Sequence, residues 1–269
     1  MQLYIGNLVI NFNDNPFLGP INAAFNSGSL NLIVGRSGCG KSTLLKLIAG
    51  FHKDFTGAVA LDEDYFEPEG NVALAFQNPE ALFFNSTVFD EISYSLTAAG
   101  NDKDNIKSIT EIWMKKWGLD PEVYSDKYPF KLSGGEKRRV ALAACTILKP
   151  KIILLDEPLA GLDRAGQTDL AEIINSLSLE SIVIVVTHEP ELILQENSSV
   201  LFLNGAETSQ YSSREFLSNA VINPEFYPLP EWYTTTLAPF AQNFDLPKVK
   251  AEDVADYLES YSNEPADYQ

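Results

Sequence analysis

Short apolar runs, each followed by polar or turn-forming residues, recur along this chain in the manner of buried strands. The most continuous runs lie at residues 30–34, 152–155 and 182–186. Strands buried on both faces of a parallel sheet show such unbroken runs, whereas half-exposed strands alternate. Residues 3–12 alternate loosely and predict an edge strand. Shorter runs predict further strands at residues 58–61, 71–76 and 201–204, the last of which we expect to be the final strand.

Helical periodicity replaces this strand pattern from about residue 86 to residue 132. One apolar stripe recurs at helical spacing and comprises Ile106, Ile109, Trp113 and Trp117. Such a stripe is more typical of a protein core than of a cofactor site. Tyr128 and Pro129 are predicted to break the helix. We therefore expect an α-helical insertion within an α/β unit.

A glycine-rich turn joins the first apolar strand to a predicted helix, and residues 35–43 fit the phosphate-loop pattern G-x-x-x-x-G-K-[ST]. Backbone N–H groups of such a turn approach phosphate oxygens, and the helix N-terminus favours negative charge. Lys41 is expected to reach the β- and γ-phosphates, and the Ser42 hydroxyl to bind Mg²⁺. The predicted nucleotide-binding residues here are Gly35, Ser37, Gly38, Cys39, Gly40, Lys41, Ser42 and Thr43.

Polar side chains follow three other predicted strands, where ligands gather in open α/β sheets. Gln77 is placed to reach the metal or its water, although a loop glutamine is usually just solvated. Asp156 is placed to hold Mg²⁺, and Glu157 to polarise the water that attacks the γ-phosphate. His188, one of two histidines in the chain, would contact the γ-phosphate.

A second glycine pair, Gly134 and Gly135, precedes another predicted helix and indicates a second anion-binding N-terminus. The basic residues Lys137, Arg138 and Arg139 would occupy the first helical turn, where cations oppose the helix dipole. This mismatch favours a helix end that meets an anion, with a solvated basic turn as the alternative.

The formal net charge of −18 argues against a nucleic-acid partner and against unaided binding to anionic lipid. Two cysteines make no disulfide framework and favour a reducing compartment. We find no signal-peptide pattern and no run of 18 apolar residues, so a soluble, cytoplasmic protein is expected.

In this order, the motifs resemble those of the nucleotide-binding subunits of ABC transporters over roughly residues 3–210. Residues 35–42 are similar to Walker A, Gln77 to the Q-loop, and residues 132–136 to the LSGGQ signature with Glu136 in last place. Residues 152–156 with Glu157 resemble Walker B and its catalytic glutamate. Asp163 matches the D-loop, and His188 the switch histidine.

The resemblance implies an α/β fold: a P-loop NTPase (RecA-like) ABC ATPase core with an N-terminal antiparallel β portion. We predict an ABC ATPase domain over residues 1–211, with a helical subdomain at about 86–150. A small helical C-terminal extension over residues 212–269 is expected to dimerise, and residues 251–261 to form an acidic helix in it.

Finer features resemble the energy-coupling factor (ECF) ATPases, a branch related to cobalt importers. These features lie at residues 76–80, 137–141, 161–166 and 229–232 and at Leu237-Ala238. Leu82 and Phe83 replace the Gln-Leu common in that branch, which bears on the docking groove for a membrane partner. Cys39 replaces a serine or alanine. Phe12 stands where the family usually has tyrosine and would stack on adenine, although taken alone such a residue is more often in the core.

The resemblance implies a sandwich of two ATPase subunits, identical or paralogous, binding ATP and Mg²⁺. ATP held by Lys41, Ser42 and Asp156 of one subunit would be completed by Ser133, Gly134 and Gly135 of the other, with Asp163 nearby. An integral membrane subunit would dock near Gln77, which places the chain peripherally on the cytoplasmic face of the membrane.

The expected function is ATP hydrolysis that powers import of a vitamin or transition-metal ion. A conventional ABC importer or exporter subunit is the main alternative, because it shares every catalytic residue. A soluble ABC ATPase acting on DNA or ribosomes is disfavoured by the single cassette, the acidic charge and the absence of a long heptad run.

Overall fold

The computed structural model describes residues 1–12, 15–62, 64–204, 207–223, 225–230 and 233. These residues form ten strands: β1 (Gln2–Phe12), β2 (Asn15–Asn26), β3 (Leu30–Gly35), β4 (Phe55–Leu61), β5 (Asp64–Tyr65), β6 (Val72–Ala75), β7 (Ile152–Asp156), β8 (Ile182–Val186), β9 (Ser199–Asn204) and β10 (Glu207–Ser212). The larger sheet has the order β10-β9-β3-β8-β7-β6. In this sheet the pairs are all parallel among β3, β6, β7, β8 and β9, whereas β10 pairs antiparallel to β9.

The parallel sheet separates two hydrophobic cores, which explains its continuous apolar runs. On β3, Leu32 and Val34 enter one core, while Ile33 enters the other. On β7, Ile153 and Leu154 divide in the same way. Since successive side chains point to opposite faces, a strand covered on both sides must be apolar at every position.

The N-terminal sheet is antiparallel, with the order β2-β1-β4-β5. The prediction that β1 is an edge strand was wrong, because β1 pairs with both β2 and β4. The unpredicted neighbour β2 contains two prolines and a glycine, Pro16, Gly19 and Pro20, which obscure its strand pattern.

Seven helices complete the described part of the chain: α1 (Lys41–Ile48), α2 (Val88–Ala98), α3 (Lys103–Lys116), α4 (Pro121–Tyr124), α5 (Gly134–Thr146), α6 (Arg164–Ser178) and α7 (Ser213–Ile222). The predicted helical block is confirmed, but the helix that carries the predicted apolar stripe, α3, ends earlier than expected. α3 stops at Lys116 and is followed by Gly118 with φ +65°, whereas Tyr128-Pro129 begins a separate 3-10 turn. A glycine in the left-handed region is a common helix terminator.

The start of α5 also differs from the prediction. Ser133 is the N-cap, so Gly134 and Gly135 are the first two helical residues rather than a preceding turn. Glu136 is the acid in the first turn, and its carboxylate accepts from the Ser133 N–H to complete a capping box. The basic triplet begins one residue later, so the predicted conflict with the helix dipole does not arise.

The strand predicted to be the last one, β9, is followed by a further strand, β10, so that prediction was wrong. Helix α7 packs against this end of the sheet. Phe216, Leu217 and Ala220 of α7 are buried in the same core as Leu32. The predicted acidic helix, Leu237 and Ala238 lie outside the described residues. No helix of the described chain is both long and apolar enough to cross a bilayer.

Candidate nucleotide site

The turn from β3 to α1 follows the predicted phosphate loop and depends on glycine at both ends. Gly35 has φ +151°, and a Cβ there would come within 2.2 Å of the Leu203 carbonyl oxygen on β9. Gly40 caps α1 with φ +102°, and a Cβ there would lie 2.6 Å from Leu18. Both positions therefore require glycine, and the loop holds its shape against two neighbouring strands.

Lys41, the first residue of α1, is only 6% exposed, and its ammonium group points back into the loop. Nζ donates to the carbonyl oxygens of Gly35 at 2.9 Å and Arg36 at 3.1 Å, and lies 3.4 Å from His188 Nε2. Carbonyl oxygens are neutral, so they leave the positive charge of a buried cation uncompensated, and a bound anion can compensate it. The loop therefore fits a phosphate group.

Glu157 and His188 meet beside this ammonium group, at the ends of the adjacent strands β7 and β8. The His188 backbone N–H donates to Glu157 Oε2 at 3.3 Å, and His188 Nε2 lies 3.5 Å from Glu157 Oε1. Glu157 Oε1 is buried and accepts no hydrogen bond from the described residues. Glu157 also has φ +51°, an uncommon backbone conformation for a non-glycine residue.

The surroundings shift the pKa values of these two groups in ways that suit proton transfer. Burial, with the negative charges of Asp156 and Glu189, raises the pKa of Glu157 against the opposing His188 hydrogen bond and Lys41 charge. Burial and the Lys41 ammonium lower the pKa of His188. At neutral pH the imidazole is therefore uncharged, and its contact with Glu157 is not an ion pair.

Gln77 follows β6 at the same edge of the sheet, and its side chain is exposed. Its carbonyl oxygen accepts from Arg138 Nη1 at 2.5 Å, while Arg138 Nε lies 3.5 Å from Glu80 Oε2. Arg138 thus faces inward onto the Q-loop, and this corrects the expectation that the basic triplet as a whole awaits an anion.

The signature residues are presented at the exposed start of α5. Ser133 and Gly134 are exposed, and Gly135 is half-buried. Glu136 accepts from the Tyr124 hydroxyl and from the Ser133 N–H, both at 2.7 Å. These bonds lower the pKa of Glu136 to about 2. An acid at this position is therefore used to hold the signature turn.

Asp163 and Phe12 occupy two further places predicted to meet nucleotide. Asp163 is the N-cap of α6 and accepts from the Gly166 N–H at 2.8 Å. Phe12 is 48% exposed, so it is not a core residue. Its ring meets Phe17 edge-on at 5.1 Å, and Phe17 in turn borders Gly40. The ring is available for stacking, and adenine stacking stays a prediction.

The remaining predicted ligands surround the same loop. Ser37 is exposed, and Ser42, Thr43 and Asp156 are half-buried. Cys39 is a free, half-buried thiol. Asp156 ends β7 opposite Val186 of β8, which carries the chain into Thr187 and His188. A hydroxyl and a carboxylate at the edge of a phosphate loop are oxygen donors of the kind that Mg²⁺ prefers.

Three residues near the site had no usable sequence signal. Tyr227 donates its hydroxyl to the His188 carbonyl at 2.8 Å, across 39 residues of chain. Glu191 is largely buried beside it, and Phe17 borders the phosphate loop from β2. Long-range contacts of this kind depend on how the strands are ordered, and no short motif encodes them.

Comparison with known proteins identifies the family. The ABC transporter family model matches residues 18–160. The energy-coupling factor transporter ATP-binding protein EcfA2 of Thermotoga maritima is 37% identical over 212 residues, 77% of this chain and 79% of that protein. EcfA2 of Acetivibrio thermocellus is 35% identical over 70% of this chain and 69% of that protein.

The fold has a solved counterpart as well. The structure of cbiO1 from Clostridium perfringens, described as part of the ABC transporter complex cbiONQ, superposes with a TM-score of 0.72. That superposition covers 83% of this chain and 96% of that one, at 24% identity, and so supports the fold alone.

The family model and the sequence relatives together show that the chain belongs to the ABC transporter family, as an ATP-binding and ATP-hydrolysing protein with energy-coupling factor ATPases among its relatives.

Proposed function

We propose that this chain is the ATPase subunit of an energy-coupling factor transporter and powers import of a vitamin or a transition-metal ion. The observation that carries the ATPase part is the cluster of Lys41, Glu157 and His188 at adjoining strand ends. The His188 imidazole lies 3.4 Å from the buried Lys41 ammonium and 3.5 Å from the Glu157 carboxylate, whose pKa is raised. The relatives' names support the choice of transporter type.

In this proposal each group has one role in hydrolysis. Lys41 and the loop N–H groups hold the β- and γ-phosphates of ATP, and the Glu157 carboxylate takes a proton from the attacking water. The imidazole of His188 steadies the γ-phosphate. When bound, Mg²⁺ would neutralise phosphate charge, held by Ser42 and Asp156 with Gln77 reaching its water.

The site is completed by a second ATPase subunit. The exposed signature start, Ser133 and Gly134, is free to face the nucleotide of a partner. Gly135 follows it, and a Cβ at Gly135 would lie 3.9 Å from Leu162, the neighbour of Asp163. Phe12 stacks on the adenine. We further propose that residues 212–269 serve as the dimerisation extension, of which α7 and its packing are described above.

The membrane subunit docks on an exposed apolar surface beside the Q-loop. Leu82 and Phe84 are 65% and 64% exposed, and Phe84 stacks edge-on with the exposed Tyr94 of α2 at 4.8 Å. Phe83 is buried against Phe130, so of the two departures from the Gln-Leu of that branch only Leu82 alters the docking surface. Exposed apolar clusters rimmed by polar residues are typical of interaction sites. The chain would accordingly sit peripherally on the cytoplasmic face of the membrane.

The decisive experiment is affinity purification of tagged Glu157→Gln protein from detergent-solubilised membranes of its native host. We expect a small integral membrane protein, an ATPase subunit and a separate substrate-binding subunit. Leu82→Asp should lose the membrane subunit, whereas Leu179→Asp, which alters a similarly exposed leucine at the end of α6, should keep it. A conventional permease pair would instead assign the chain to an ordinary ABC transporter, and only soluble partners would refute transport.

A further inference from the structure

The backbone of His188 is held from two sides by groups that belong to different parts of the chain. Its N–H donates to the side chain of Glu157, the residue that follows β7, and its carbonyl accepts from the Tyr227 hydroxyl beyond α7. The imidazole itself is half exposed. Its direction toward Lys41 is therefore set largely by the peptide unit that carries it.

Tyr227 is anchored independently of the nucleotide site. Its side chain is 6% exposed, and its ring packs against Phe216 of α7 at 5.3 Å and Phe202 of β9 at 6.3 Å. Phe226 and Tyr211 extend the same aromatic cluster. β9 pairs directly with β3, so this cluster is built on the strand next to the one that carries the phosphate loop.

The chemistry of the Tyr227 hydroxyl suits a permanent donor. Burial, with the nearby carboxylates Glu191, Glu157 and Glu189, raises its pKa well above the ordinary value. The hydroxyl therefore keeps its proton throughout the working pH range, and a carbonyl oxygen can only accept one. The bond also satisfies two polar groups that would otherwise be costly inside this packed region.

We propose that Tyr227 is a positioning residue for ATP hydrolysis, holding the His188 carbonyl so that the imidazole stays beside Lys41 and Glu157. This inference rests on the role of His188 in the proposed function. It makes the segment after α7 part of the ATPase site, although that segment lies outside the six motifs of the cassette. A displacement of that segment would rotate the switch histidine without disturbing the phosphate loop.

Tyr227→Phe tests the inference, because it keeps the ring in the aromatic cluster and removes only the hydroxyl. In the assembled transporter complex we expect kcat to fall about fivefold or more, with KM for ATP within about twofold, because orientation rather than binding is lost. Tyr211→Phe, which removes a hydroxyl from the same cluster away from His188, should leave both constants unchanged.

The His188→Ala background separates positioning from general destabilisation. There, Tyr227→Phe should lower kcat no further, since its effect requires the imidazole. An equal fall in both backgrounds would show a merely structural role and overturn the inference. Near-normal kcat for Tyr227→Phe while His188→Ala is impaired would overturn it too and spare the proposed function. Unimpaired His188→Ala would instead refute the proposed role of His188, and this inference with it.

A second readout does not depend on turnover. The chain has two histidines, so His188 can be assigned by NMR from the His188→Ala protein, with His52 as an internal reference. In Tyr227→Phe we expect the pKa of His188 to rise toward its ordinary value as the ring leaves its partly buried position beside Lys41. An unchanged His188 titration in a folded Tyr227→Phe protein would contradict the inference.

Discussion

The guanidinium of Arg138 ties the signature helix to the Q-loop, through its bond to the Gln77 carbonyl oxygen and its contact with Glu80. Arg138 is buried, and burial lowers the pKa of its guanidinium. The two segments meet different partners in the proposed assembly, the second nucleotide and the membrane subunit. We therefore expect a movement of the signature helix or of the Q-loop to be transmitted to the other segment through the Arg138 side chain.

Removing this link should destabilise the chain. We expect Arg138→Met to lower the free energy of unfolding by about 3 kcal/mol, because it leaves the Gln77 carbonyl and the Glu80 carboxylate without their partner. Urea denaturation followed by circular dichroism measures this. Lys131→Met, which removes an exposed cation near the start of the same helix, should change stability by less than about 0.5 kcal/mol. Equal effects of the two would contradict the structural role of Arg138.

Glu157→Gln should bind ATP yet lose turnover by at least about a hundredfold in the assembled complex, because an amide cannot take the proton of the attacking water. Phosphate release measures turnover, and a fluorescent nucleotide measures binding. Glu180→Gln alters an exposed carboxylate that follows α6 and should leave both unchanged. Near-normal turnover of the Glu157→Gln complex would refute the assigned base.

Gly134→Arg should block hydrolysis without harming the isolated chain. A Cβ at Gly134 meets no atom of the described residues within 4 Å, so the fold accommodates a side chain there. In the sandwich the same arginine would occupy the space of the facing nucleotide. We expect normal ATP binding by the isolated chain, normal thermal stability and loss of turnover in the complex. Ser108→Arg on the exposed face of α3 is the matched control, and full activity of Gly134→Arg would exclude the sandwich.

Stability should fall as pH rises from about 4.5 to about 7, because burial raises the pKa of Glu191 from 4.5 to about 7. The folded state then binds the proton more tightly than the unfolded chain, so this contribution is present below pH 4.5 and is lost by pH 7. Its full size is at most about 3 kcal/mol. Glu191→Gln should flatten this part of the pH–stability curve, measured by urea denaturation. An unchanged curve for Glu191→Gln would contradict the burial argument.

The parallel strands and the candidate site were predictable to different degrees. β3, β7 and β8 were predicted because strands covered on both sides must be apolar throughout, and the phosphate loop because its glycine spacing is demanding. β2 was not predicted, since its prolines and glycine resemble turn chemistry, and β1 was misplaced at an edge. A strand's neighbours are chosen by residues far along the chain, which no local pattern contains.

The sequence alone determined the family, the phosphate loop and the identity of the acid, lysine and histidine at the site, because each lies in a short motif whose spacing the chemistry dictates. Tertiary structure alone decided which of these groups touch. It placed His188 between Lys41 and Glu157, turned Arg138 inward onto Gln77, and brought Tyr227 to the carbonyl of His188. The physical reason is that a motif records bonding requirements over a few residues. Contacts between motifs depend instead on strand order and on the packing of two cores, which are properties of the whole chain.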